Sequence, residues 1–133
     1  MRSLILENDY IKLRCSNSNL KSYVSFDVIN KEKNEISYRL CTTNENFIDG
    51  VCNLEIEIIS NEDKTLLDAI KLFIDYVFYS IPIHKIEYIT LEENIKTIKL
   101  LGLIGFKIEA NLKNDSYLNG KYQDKIILGL LKE

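Results

Sequence analysis

Two carboxylates, Glu55 and Glu57, stand two residues apart in Val51 to Ile59, where Cys52, Leu54, Ile56 and Ile58 alternate with Asn53, Glu55 and Glu57. Alternation of period two is a strand with one buried side, so both acids share the wet side, roughly 7 Å apart. Carboxylates so placed are candidate general bases for removing a proton. The same spacing also describes ordinary solvated residues on an uncovered sheet. Further along, Glu92 and Glu93 put negative charge ahead of a helix-like stretch, and Asn94 is a residue that caps helix starts. Cys15, Cys41 and Cys52 are odd in number, far apart and without a CxxC pair, which reads as free thiols. His84 is the sole imidazole, so the ligand set for a metal is missing and none is expected.

The elements that must position these groups follow from periodicity. Tyr10 to Cys15 alternates as a half-buried strand, and Tyr23 to Ile29 and Ile36 to Leu40 flank the turn Asn30 to Glu35 as a hairpin. The polar stretch Thr42 to Gly50 leads to the strand bearing Glu55 and Glu57. Leu66, Leu67, Ile70, Phe73, Ile74 and Val77 then form the stripe of an amphipathic helix, with Ser60 and Asp63 as its capping box. Pro82 returns the chain to extended form before the strand Ile86 to Thr90. A second helix carries Ile95, Ile98, Leu101 and Leu103 inward and stops at Gly105. Phe106 to Leu112 is a strand, Lys113 to Gly120 a loop ending in the turn dipeptide Asn119-Gly120, and Lys121 to Leu131 a last strand whose end should be deeply buried. The order is four strands, helix, strand, helix, two strands. That is an α+β chain with a mixed, largely antiparallel sheet and two main helices, expected as one domain over residues 1–133.

Seventeen basic against twenty acidic side chains give a net charge of −3 with no long run of either sign, which argues against a nucleic-acid partner. Glu7 and Asp9 interrupt the N-terminus before a signal peptide could form, and no segment reaches membrane-spanning length. A cytoplasmic protein with no membrane contact is expected, and its Lys-, Asn- and Ile-rich composition suggests a bacterial genome.

Asn94, then Thr97, then an apolar pair closing on Gly105-Phe106, resembles the closing motif of the GNAT-family N-acetyltransferases, in particular the subgroup acting on ribosomal-protein N-termini. Asp68 to Phe78 resembles that family's central helix, His84 to Glu87 its following strand, and Ile108-Glu109 with Asn119 to Tyr122 and Asp124 its closing hairpin. The resemblance implies a GNAT-like fold lacking the family's first two helices, since only Ser16 to Ser22 separates the first two strands. It implies acetyl-CoA as cofactor, held by strand backbone around Ile58, by Ser60, Lys64 and Thr65 at the pyrophosphate, and by Asn94 and Thr97 along the pantetheine arm and thioester. Glu57, with Glu55 beside it, would be the base. The family's tyrosine seven residues after the motif Asn is Leu101 here, leaving Tyr88, Tyr117 and Tyr122 as substitute thiolate donors.

Two departures pull the other way. The loop Ser60 to Thr65 has no glycine and places Glu62 and Asp63 where the pyrophosphate should sit, although acids there also cap a helix. A sheet without the first helices should leave Ser25, Asp27, Arg39, Glu55 and Glu57 wet or covered by a partner. Two functions are therefore expected. One is a divergent N-acyltransferase passing an acetyl group from acetyl-CoA to a small-molecule or protein amine. The alternative is a catalytically inactive GNAT-fold binding or assembly subunit, such as a homodimer using the uncovered face.

Overall fold

The computed structural model describes residues 6–16, 23–60 and 64–133. One sheet of seven strands runs in the order β1 (Ile11–Cys15), β2 (Ser25–Asn30), β3 (Glu35–Asn46), β4 (Val51–Ile58), β5 (Lys85–Leu91), β7 (Lys121–Leu131), β6 (Lys107–Leu118). All neighbours are antiparallel except β4 and β5. The parallel step is bridged by α1 (Thr65–Ser80), while α2 (Ile95–Ile104) joins β5 to β6. This is the expected α+β order with a mixed, largely antiparallel sheet.

The core explains why the helices lie where they do. Leu66, Ala69, Ile70, Phe73, Ile74 and Val77 recur on one side of α1 and are buried against Phe26, Tyr38, Leu40, Leu54 and Ile86 from the sheet. Leu101 of α2 enters the same cluster, so both helices cover one side of the sheet. Phe26 meets Phe73 and Tyr76 edge-on, with ring centroids 6.1 and 4.9 Å apart.

Several expected boundaries move. Thr42 to Asn46 is not a polar linker but the second half of β3, because Thr42 and Thr43 pair with Leu54 and Asn53 and a bulge takes up the slack before Asn46. Lys113 to Leu118 is likewise strand and not loop. β6 runs on past a bulge between Leu112 and Ser116, and only Asn119 and Gly120, both with positive φ, form the turn. The end of β7 is less buried than its apolar run suggested, since Leu131 is 61% exposed. In α2 the buried pair is Thr97 and Leu101, spaced i, i+4; Ile95 and Leu103 face outward, the latter because two residues of helix turn it away from Leu101. Glu92 and Glu93 lie just ahead of α2, as expected. Asp63, the second half of the expected capping box, lies outside the described residues. Lys64 occupies the N-cap of α1 without a side-chain cap bond. Gly105, at φ 127°, ends α2 with its N–H donated to the Leu101 carbonyl. None of the three cysteines forms a disulfide; Cys41 and Cys52 are buried, and Cys15 is exposed.

Candidate active site

The strand ladder splits at one place. β4 and β5 pair only through Val51↔Lys85, Cys52↔Ile86 and Asn53↔Glu87. Beyond that point, among the described residues, Leu54–Ile58 pairs with β3 alone and Tyr88–Leu91 with β7 alone. Two parallel strands that part toward their C-terminal ends leave a crevice, and the helices that follow them both begin at that end of the sheet. The Ile59 N–H is donated to the Ser37 carbonyl of the β3 side. By strand alternation, Leu54, Ile56 and Ile58 turn their N–H and C=O groups toward the crevice, while Glu55 and Glu57 turn theirs toward β3.

Each expected site residue can be placed on this frame. Ile58 is the last residue of the free β4 edge and is 45% exposed. Ser60 and Lys64 are exposed and Thr65 half-buried at the start of α1, where the first N–H groups of a helix have no intrahelical acceptor. Glu62 lies, like Asp63, outside the described residues. Asn94 is the N-cap residue of α2, yet it does not cap: its Nδ2 is donated to the Thr90 hydroxyl at 2.9 Å. Thr97 is buried in the first turn of that helix. The structure therefore brings Ile58 and Asn94 to opposite lips of one crevice, with Ser60, Lys64 and Thr65 beyond the β4 lip.

Glu55 and Glu57 project from the other side of the sheet, away from the helices, and their surroundings differ. Arg39 sits directly opposite Glu57 and donates Nη1 to its Oε2 at 3.1 Å. The same guanidinium donates Nε to Asp27 Oδ1 at 2.9 Å, and Arg14 approaches the other Asp27 oxygen at 3.9 Å. Arg14↔Asp27, Asp27↔Arg39 and Arg39↔Glu57 are register pairs, so alternating charges cross β1 to β4 in one row. Asp27 above all, then Glu57, holds the Arg39 guanidinium above its usual pKa. Glu55 instead accepts a bond from the Thr43 hydroxyl at 3.2 Å. The expectation of a polar uncovered side is met in kind, but Asp27 and Ser37 on it are already buried.

The β5–β7–β6 side has its own ties. Lys85 donates to Glu109 at 2.6 Å and lies 3.6 Å from Glu87, which raises the lysine above its ordinary pKa, Glu109 first. Glu109 reaches across β7 only because residue 129 is glycine; a Cβ there would meet its carboxylate at 2.6 Å. Asp124 accepts from the Asn114 N–H at 3.0 Å and from Lys113 Nζ at 3.1 Å, and these bonds hold its carboxyl below the usual aspartate range. Its own N–H goes to Glu92 Oε1 at 3.1 Å, and the Glu92 N–H to the Asp124 carbonyl at 3.0 Å. That double tie fixes the turn that presents Asn94. Sequence reasoning noted Asp124 only as part of a hairpin resemblance, and Glu92 only as helix-end charge.

Other candidates can be placed as well. Tyr117 and Tyr122 stack edge-on at 5.0 Å beside the Asn119-Gly120 turn, three residues and more beyond Lys125, which pairs with Leu91 at the end of β5. Leu101 is fully buried. His84 packs over Gly50, as a strand-start residue should. Burial, with Glu45 adding to it, pushes the Cys52 thiol up to about 12, a core group and no nucleophile. No group of three or more metal-ligating side chains occurs among the described residues.

This frame matches solved structures. A spermidine/spermine N-acetyltransferase from Vibrio cholerae aligns at TM-score 0.78 and 20% identity over 92% of both chains. The Vibrio cholerae spermidine N-acetyltransferase in complex with CoA and spermine aligns at TM-score 0.75 and 24% identity, covering 82% of this chain and 65% of that one. The chain has the GNAT fold. Among curated sequences, a probable N-acetyltransferase of Bacillus subtilis is 27% identical over 71 residues, 53% of this chain and 39% of that protein. The spermidine N(1)-acetyltransferase of Escherichia coli is 34% identical over 58 residues, 44% of this chain and 31% of its own length. The chain is thus similar in fold and in part of its sequence to N-acetyltransferases, and spans 39% and 31% of the length of these two curated relatives. The ribosomal-protein subgroup finds no support among these relatives, and no family model matches the chain. No helix among the described residues is long and apolar enough to cross a membrane.

Proposed function

We propose that this GNAT chain is an N-acyltransferase that moves an acetyl group from acetyl-CoA to an amine. The observation that carries the reading is the split between β4 and β5, with a free strand edge leading to two helix starts. An extended chain of amide groups, which pantetheine is, fits such an edge by strand-like pairing. Leu54, Ile56 and Ile58 would supply that pairing. Lys64, with the N–H groups at Thr65, would hold the pyrophosphate, and Ser60 stands beside them. Asn94 and Thr97 would flank the arm from the other lip. Bound there, acetyl-CoA supplies an activated acyl carbon whose C–S bond breaks as the C–N bond forms. Glu55 and Glu57, on the far side of the same split, would meet the acceptor ammonium, and one of them would take its proton, directly or through water. Tyr88 is the first β5 residue past the last β4–β5 pair and is our candidate for returning a proton to the sulfur. The relatives named as spermidine acetyltransferases favour a small-molecule amine, polyamines first, as acceptor.

The alternative of an inactive assembly subunit rested on the glycine-free loop with Glu62 and Asp63, which lie outside the described residues, and on the uncovered side of the sheet; nothing in the relatives favours it. Calorimetric titration of the purified protein with CoA and acetyl-CoA tests the reading. Micromolar binding, weakened by Lys64→Ala, is expected; absence of binding at millimolar CoA overturns it.

A further inference from the structure

The two β4 carboxylates differ in ways their shared spacing conceals, and the difference sorts their roles. Glu57 accepts from a guanidinium whose Nε is committed to the buried Asp27, so one of its oxygens is fixed while Oε1 remains for another donor. A carboxylate in this position has one oxygen committed to a charge-assisted bond and the other open to a second donor, which suits it to anchor a cation. Glu55 lies one step nearer the last β4–β5 pair and, among the described residues, accepts from a neutral hydroxyl, that of Thr43.

We propose that the site divides the work: Glu57, held by Arg39 and through it by Asp27, anchors a cationic group of the acceptor, and Glu55 takes the proton of the reacting amine. Arg39 and Asp27 are positioning residues. The inference rests on the acyl-transfer reading for the role of Glu55, but the anchor is a binding claim that stands or falls without turnover. It assigns the anchor to a residue whose spacing alone marked it as the base. The reacting ammonium would give one proton to Glu55, its freed lone pair would form the C–N bond, and its second proton would pass to the sulfur that leaves as the C–S bond breaks, while the second cationic group keeps its charge at Glu57. Acceptors with two or more amino groups therefore suit the site better than monoamines.

The deciding experiment titrates 1,4-diaminobutane and butylamine into the wild-type chain in the presence of CoA. Glu57→Gln is expected to weaken the diamine about fivefold, the scale of one partly exposed ion pair, and butylamine hardly at all. Arg39→Met should weaken the diamine in the same direction, and Arg39→Lys should restore part of the loss. An exposed residue such as Glu57 can be changed without threatening the core, and the melting temperature checks this. Where acetyl transfer is measured, Glu57→Gln raises KM for the diamine more than it lowers kcat, and Glu55→Gln does the reverse by on the order of a hundredfold. Diamine affinity that ignores Glu57→Gln, or a kcat loss in Glu57→Gln as deep as in Glu55→Gln, overturns the division. Glu57-dependent diamine binding without any acetyl transfer supports the anchor and instead refutes the acyl-transfer reading.

Discussion

The two arms of the sheet are built differently. In β1 to β4 the polar ties run in a straight row, Arg14, Asp27, Arg39 and Glu57, each opposite the next across an antiparallel pair. In β5, β7 and β6 they jump strands: Glu109 passes over Gly129 to Lys85, and Asp124 gathers a bulge and a helix start. Each arm is thus tied within itself. Between them stand three residue pairs and the shared apolar core under α1. Pairing that is dense within each arm and sparse between them lets a crevice open in a sheet that is otherwise continuous.

The comparison is broken most severely by removing the shared core. Phe73→Ala, at a fully buried position touching Phe26, should cost about 3–5 kcal/mol in chemical denaturation and destabilise both arms together. Loss confined to one arm in hydrogen exchange would show that the arms do not share a core. A smaller effect, about 1–3 kcal/mol, is expected from Asp27→Asn, which leaves Arg39 without its main partner. Its amides should exchange faster in β1 to β3 and not in β6 and β7; a uniform change would refute the independence of the polar ties. The mildest perturbation is acid. Asp124 has a lowered folded pKa, so its contribution is present above the ordinary aspartate value of about 4 and is lost as pH falls through the lowered value. Asp124→Asn should flatten the acid limb of melting temperature against pH and loosen the Lys113–Asn114 bulge that its carboxylate holds. An unchanged acid limb would remove Asp124 from that role.

Much of this could be read from periodicity. The apolar stripe of α1 and the alternation of β4 named Leu66, Ile70, Phe73, Ile74, Val77, Cys52 and Leu54, which the core now holds, because burial on one side leaves its period in the chain whatever packs against it. Where the reading failed, long-range pairing decided. Thr42 to Asn46 and Lys113 to Leu118 carry no strand-like composition; they are strands because neighbours across a hairpin supply hydrogen-bond partners. Glu92 and Asn94 look like helix-end residues in sequence and instead bind Asp124 and Thr90.

The candidate site shows the same limit. Spacing alone could put Glu55 and Glu57 on one side of a strand, and kinship could suggest Ile58, Lys64 and Asn94. It could not show that pairing between β4 and β5 ends after Asn53, nor that one acid is held by arginine and its neighbour by threonine. Side-chain period is a local property fixed by backbone geometry, and this chain's sequence determined it. Which strand edge stays open, and which charge faces which, depends on register between segments distant in sequence. Only the folded sheet decided that.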